Sequence, residues 1–356
     1  MYSHRFNIKT LHFIITFLVL HTILVCTAYS VPFISKETEL SMGQSADKEV
    51  IHQFGIYQNK VLQVYVNKVG QNLVSKLVNK EFSKFFFKVV DSSEINAFAL
   101  PGGYVYVTIG LLASINSEGE LASVLGHEIG HVTMHHGAKM MVRSIGSQIL
   151  SVGGAIVSPK YARQWLTVSA AIFQQINLGY GREAELDADA QGMMNATDAG
   201  YQPEGMVKFL KNLRKQEIMS GQSYHGFQAS HPDTKERIIK SGLIASSLSR
   251  KYNNRNVNQG FYLHYLQGLI YGGKKNIKDK RKYKPRYLDI YTVKKGDTLE
   301  GIAIKELGDK RYALEIAVIN GRKETTKLDP GVMLKIVKDG IYIKDKPFNL
   351  SRDPNI

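Results

Sequence analysis

Gly126-His127-Glu128-Ile129-Gly130-His131 reads H-E-x-x-H, and its meaning depends on the segment being helical. On a helix, residues four apart share a face, so His127 and His131 can grip one metal ion. Glu128 then sits beside the open coordination position, where it suits a general base that takes a proton from water on the metal. The surroundings predict the helix. Ser117 and Glu120 form a capping box, and Leu121, Val124, Leu125, Ile129 and Val132 recur at helical spacing as a buried stripe. A pattern this short also arises by chance, so the rest of the site has to be sought elsewhere in the chain.

Downstream, Gly181-Arg182-Glu183-Ala184-Glu185-Leu186-Asp187-Ala188-Asp189-Ala190 sets four carboxylates on a good helix former. A catalytic zinc with two histidines commonly takes one carboxylate more. Glu183 and Asp187 are four apart, and so are Glu185 and Asp189. Spacing alone lets either pair place one acid on the metal and the other behind a ligand histidine. His135 and His136 read as a surface and helix-end pair, since cations are favoured at a helix C-terminus.

Upstream, residues 35–80 have helical periodicity, and Phe85 to Val90 is apolar and strand-like. Asn96-Ala97-Phe98-Ala99-Leu100-Pro101-Gly102-Gly103 leads through a turn into a strand from Tyr104. Proline beside a strand suggests a sheet edge to which an extended peptide could add itself; an ordinary hairpin fits the same residues. Residues 138–176, rich in small residues and broken near Gly153-Gly154 and Pro159, read as a helical hairpin near the site.

Taken together these motifs resemble the zinc metallopeptidases that include HtpX, the CaaX prenyl endopeptidases and BepA. The likeness runs through Asn96-Ala97-Phe98-Ala99, Pro101-Gly102-Gly103, Gly110-Leu111-Leu112 and His127 to Val132. It continues through Arg182, Glu185 and Asp189, the Ala199-Gly200-Tyr201 that follows them, and Ser230-His231-Pro232 with Arg237. The resemblance implies one Zn2+ per chain, held by His127, His131 and Glu185, with Asp189 and Arg182 behind the ligands. It implies an edge strand lining the cleft, with Asn96, Ala97, Phe98, Ala99, Gly102 and Gly103 receiving substrate. His231 resembles a family histidine over the metal, implied either to assist catalysis beside Glu128 or to block the open position at rest. The chain departs from the pattern at Asp187, where glutamate is usual. The fold class implied is α+β, a mainly helical zincin-type domain with a small sheet.

The remaining composition divides the chain. Of 356 residues, 31–249 carry 20 Lys/Arg against 19 Asp/Glu, while 250–356 carry 24 against 12. Of the net charge of +15, +12 therefore belongs to the C-terminal third, which suggests an anionic partner there, or simply a solvated basic face. Tyr291-Thr292-Val293-Lys294-Lys295-Gly296-Asp297-Thr298-Leu299, Ile319-Asn320 and Pro330-Gly331 resemble a LysM module, a βααβ unit that binds peptidoglycan-type glycans. At the other end, Arg5 and Lys9 precede an apolar run, Leu11 to Val25, and a small-x-small site, Ala28-Tyr29-Ser30. The expected order is a signal peptide (1–30), a zinc metallopeptidase domain (31–249), a basic linker (250–288), a LysM-like domain (289–338) and a tail (339–356).

These readings lead to an exported metalloendopeptidase of the periplasm or cell envelope, with misfolded or misassembled polypeptides as substrates and peptidoglycan or another anionic glycan as the tether. Nothing in the sequence points to nucleic acid. A peptidoglycan endopeptidase and a mostly latent assembly chaperone are the rival expectations.

Overall fold

The computed structural model describes residues 35–78, 84–140, 179–220, 226–232, 234–252, 258–271 and 286–343. The expected signal peptide and nearly all of the expected hairpin at 138–176 lie outside them. Helix α1 (Lys36–Phe54) is capped by Ser35 and α2 (Lys60–Ser75) by Asn59. The sequence reading had one helical stretch over 35–80. It is broken where Gly55 takes a φ of 73°, a left-handed backbone that favours glycine.

Strands β1 (Phe86–Val90), β2 (Ala97–Leu100) and β3 (Tyr104–Thr108) form a sheet in the order β1-β3-β2. β1 runs parallel to β3 and β2 antiparallel to it, which leaves β2 at the edge. Alternation along the strands feeds two cores. Ala97, Ala99, Val105 and Val107 face the main core with α2, whereas Phe98, Leu100 and Tyr106 face Met42, Ala46 and Val50 of α1. The turn between β2 and β3 needs glycine. Gly102 and Gly103 have φ of 79° and 90°, and a Cβ on Gly103 would lie 2.6 Å from the Lys84 carbonyl oxygen.

A short α3 (Ile109–Ser114) leads into α4 (Glu118–Thr133), which is buried from Gly119 to Val132. The capping box forms at its start, with Glu120 N–H donating to Ser117 Oγ at 3.2 Å. Against α4 lies α5 (Arg182–Asp198), and small residues let the two backbones touch. A Cβ on Gly192 would stand 2.5 Å from the His127 nitrogen, and one on Gly126 would stand 2.7 Å from the Gly192 carbonyl oxygen. Because backbone meets backbone, Gly192→Ala must push the helices apart. We expect a loss of about 1–3 kcal/mol, read by chemical denaturation, with weakened metal retention.

Helices α6 (Gly205–Ser220), α7 (Phe227–Ser230) and α8 (Thr234–Lys251) complete this body. Residues 258–271, within the expected linker, pack against the peptidase body. Tyr262, Leu263 and Leu266 of α9 (Gln259–Leu266) and the nearby Leu269 join the main core, and Tyr262 Oη donates to the Leu112 carbonyl at 2.6 Å. A second sheet, β4 (Ile270–Tyr271), β5 (Arg286–Thr292) and β6 (Met333–Asp339), is antiparallel in that order. Helices α10 (Leu299–Leu307) and α11 (Ala313–Ile319) lie between β5 and β6 in sequence, giving a strand-helix-helix-strand unit. Leu334 and Ile336 pack on its own helices, while Val337 packs into the main core. The fold is thus α+β, mainly helical, with two small sheets.

Candidate metal centre

Helix α4 presents His127 and His131 one turn apart on the face toward α5 and α7, both essentially inaccessible to solvent. Helix α5 settles the choice between its acid pairs by rotation alone: Glu183 and Asp187 face solvent, and Glu185 and Asp189 are buried. His231, just past α7, points into the same space. His127, His131, Glu185 and His231 each offer a donor atom, all within 4.8 Å of one another.

The spacings between these donors are specific. His127 Nε2 lies 3.0 Å from His131 Nε2 and 3.2 Å from His231 Nδ1. Glu185 lies 3.6 Å from His127 Nε2, 3.4 Å from His131 Nε2 and 3.1 Å from His231 Nδ1. Zinc bonds of about 2.0–2.1 Å in a tetrahedron put donors about 3.3–3.4 Å apart. Five contacts in the cluster, counting both Glu185 oxygens, run from 3.0 to 3.6 Å, so the residues suit one buried metal ion that His127, His131 and Glu185 would hold, with His231 beside them.

Electrostatics point the same way. Burial drives the His131 imidazole well below its usual pKa, with His127 adding to the effect, so its nitrogen keeps a lone pair for a metal. Burial works to raise Glu185, but His231 and Arg237 outweigh it and hold the carboxyl well below its usual range. Glu128 is different. Burial raises its pKa, and both its oxygens are enclosed without a hydrogen bond among the described residues, His231 Nε2 standing 3.5 Å from one of them. Such a carboxylate is free to take up a proton.

Behind the donors, Asp189 Oδ1 is 2.9 Å from His127 Nδ1, as expected for an acid that orients a ligand histidine. Arg182 does not share that place. As the first residue of α5 it points to solvent and pairs with Glu236 at 2.6 Å. The guanidinium behind the site is that of Arg237, from α8. It grips Asp189 with two bonds of 2.7 Å, reaches Glu185 Oε2 at 2.8 Å and donates to the His231 carbonyl at 3.2 Å. In the sequence Arg237 stood out only as the end of a motif.

His136 is a second residue that the sequence reading placed wrongly. It is not a helix-end cation but a buried imidazole whose Nδ1 lies 2.8 Å from His131 Nδ1. Burial lowers its pKa to about 4, so it is neutral and suits an acceptor for the His131 Nδ1–H. Helical spacing gave no hint of this, because the chain leaves the helix at His135, whose φ is 56°. His135 itself pairs with Glu39 of α1 at 2.7 Å. Tyr180 stacks on the His131 ring with centroids 3.9 Å apart, and nothing in the sequence marked it.

The residues expected to receive substrate divide. Asn96 to Ala99 lie on or beside β2, with His231 Nε2 at 3.3 Å from the Ala97 carbonyl oxygen and Ser230 Oγ donating to Asn96 Oδ1 at 3.2 Å. Phe98 points to the other face, stacked on Tyr106 at 4.9 Å. Gly102 and Gly103 form the turn at the far end, against α1 and residues 84–85.

The chain is similar to known proteases. The beta-barrel assembly-enhancing protease of Escherichia coli strain K12 is 31% identical over 189 residues, covering 50% of this chain and 38% of that protein. The putative beta-barrel assembly-enhancing protease of Vibrio cholerae is 30% identical over 212 residues, 58% of this chain and 43% of its own length. The mitochondrial metalloendopeptidase OMA1 of Arabidopsis thaliana is 30% identical over 159 residues, 45% of this chain and 30% of that protein. The chain thus spans less than half the length of these relatives. The family model for Peptidase family M48 matches residues 61–240, a span that runs from α2 to α8 and holds His127, His131, Glu185 and His231. The histidines of α4, the acids of α5 and Arg237 are all inside it, and the chain belongs to peptidase family M48.

Proposed function

We propose that this chain is a zinc-dependent metalloendopeptidase of the bacterial envelope that hydrolyses misfolded or misassembled exported proteins, and that it rests with its site shut. The observation that carries the reading is the convergence of four buried donors, one of which is His231, within 4.8 Å of one another. Zinc, when bound, supplies a Lewis acid for the scissile carbonyl and an acidified water. His127, His131 and Glu185 hold it, and Asp189 and His136 fix the rings of the two histidines. Glu128 takes a proton on its carboxylate and returns it to the leaving amine.

His231 opposes this chemistry in two ways. Its Nδ1 stands 3.2 Å from His127 Nε2, among the atoms that would hold the metal, and its Nε2 stands 3.3 Å from the Ala97 carbonyl oxygen on the edge strand. A substrate strand pairing with β2 therefore displaces the same side chain that closes the metal site. We expect His231→Ala to retain zinc and to cleave a short unstructured peptide several-fold faster than the wild type. A loss of cleavage in that variant would instead make His231 a catalytic group.

Location and partners follow from weaker features. The apolar run at 11–25 with its small-x-small site supports export, and among the described residues no helix is long and apolar enough to cross a membrane. The relatives named for β-barrel assembly support an envelope substrate. The strand-helix-helix-strand unit and the basic C-terminal third support a glycan or anionic polymer as partner of residues 286–339. A latent assembly chaperone is favoured by the same closed site. Casein digestion by wild type, His231→Ala and Glu128→Gln separates the two, since a pure chaperone shows no cleavage in any of them.

A further inference from the structure

Lys335 sits in the middle of β6 on the strand face that looks away from α10 and α11, and it is fully buried. A lysine rarely goes inside without partners, since burying an unmatched ammonium costs several kcal/mol. Its partners come from the other end of the chain. Nζ lies 2.6 Å from the Ala113 carbonyl oxygen, 2.7 Å from that of Ile115 and 3.3 Å from that of Ser114. These are carbonyls at the C-terminal end of α3, which the helix itself leaves unpaired. Three donors meet three acceptors.

The corner that Lys335 fastens is where the H-E-x-x-H helix begins. Glu120, in the first turn of α4, accepts from the Asn116 N–H at 3.0 Å and bonds Ser117 Oγ at 3.4 Å. Its buried carboxylate also attracts the Lys335 ammonium, countering the burial that pulls the amine down to about 7. The strand is locked at this residue. Asn320 accepts from the Lys335 N–H at 2.8 Å and donates to its carbonyl at 2.9 Å. Next to it, Lys215 of α6 donates to the Gly321 carbonyl at 3.3 Å, and Asn212 donates to Ser114 O at 3.1 Å. From Glu120, α4 continues without a break to His127, Glu128 and His131.

We propose that Lys335 is a positioning residue for the catalytic helix, and that the C-terminal unit is a docked brace on the peptidase body rather than a swinging tether. By completing the α3 carbonyl terminus and facing Glu120, it sets where α4 starts and so where the metal ligands and the base stand. The inference rests on the proteolytic reading for its kinetic consequence but not for its structural one.

The test uses the full chain, with Lys335→Met, which keeps most of the volume but no charge, and Lys335→Arg, which can still donate. At a temperature where each variant is folded, Lys335→Met is expected to lower kcat roughly tenfold or more with KM little changed. It should also weaken zinc in competition with a chromophoric chelator and speed amide exchange over residues 109–120, with Lys335→Arg recovering part of each loss. Zinc affinity, exchange and kcat per folded molecule equal to wild type, with only the melting temperature lowered, would overturn the proposal. If the wild type cleaves nothing, zinc affinity and exchange decide it alone. If Lys335→Met does not fold, Glu120→Gln takes its place: the same changes in smaller measure support the proposal, and unchanged zinc affinity and exchange overturn it.

Discussion

Glu128→Gln is expected to bind zinc as the wild type does and to lose activity on casein by at least about 10²–10⁴-fold, the usual worth of a positioned base. The amide has almost the shape of the acid, so α4 and its packing are undisturbed. Zinc is retained because Glu128 is outside the donor cluster: its oxygens make no hydrogen bond among the described residues, and its near neighbour is His231 Nε2 at 3.5 Å. What the variant lacks is the proton acceptor. Metal analysis beside a protease assay checks both halves. Full cleavage by a zinc-loaded Glu128→Gln enzyme would remove the base from the mechanism, whereas loss of zinc would make Glu128 part of the metal's own support.

Arg237→Leu is expected to be the most damaging single change outside the donors. One buried guanidinium holds Asp189 with two bonds, Glu185 with a third and the His231 carbonyl with a fourth. Burial works against its charge, but Asp189 and Glu185 outweigh it and raise its pKa, a sign that the charged form is firmly matched. Leucine strands two buried carboxylates, and breaking a buried pair in this way costs about 3–5 kcal/mol. A chain of ordinary stability keeps little after such a loss. Lysine is no substitute, because a single ammonium cannot make the forked contact. Denaturant unfolding of Arg237→Leu and Arg237→Lys, each with zinc content measured, checks the expectation. An unfolding free energy within about 1 kcal/mol of wild type for both would show that the guanidinium is not what holds these acids.

Much of this site was legible in the sequence because helical periodicity carries it. Two histidines four apart on an apolar stripe, with a capping box ahead of them, leave little freedom for the helix or its buried face. Likewise Glu185 and Asp189 had to share a side of α5, although spacing alone left Glu183 and Asp187 equally eligible until burial separated them. What stayed hidden depends on contacts between distant elements. Arg237 reaches the metal site from a different helix, and no local pattern distinguishes it from Arg182, which lies beside the acids in sequence but points to solvent. His136 enters because the backbone turns left-handed at His135, a conformation uncommon for a non-glycine residue. Lys335 was one more cation in a basic third of the chain, and its burial appears only once β6 lies against α3. The break at Gly55 belongs to a different class. The glycine is visible, yet residues 35–80 read as helical because Val61, Tyr65, Val69 and Leu73 recur at helical spacing on one side of it and Ser35 offers a cap on the other.

In the function proposed, three imidazoles and one carboxylate hold the zinc of the resting protein. X-ray absorption at the zinc edge, on the purified full chain and on His231→Ala, tests it most directly. One zinc per chain is expected in both, with three imidazole ligands in the wild type and two in the variant. Two imidazoles in both proteins would contradict the closed site, and no stoichiometric zinc in the wild type would contradict the metal centre itself.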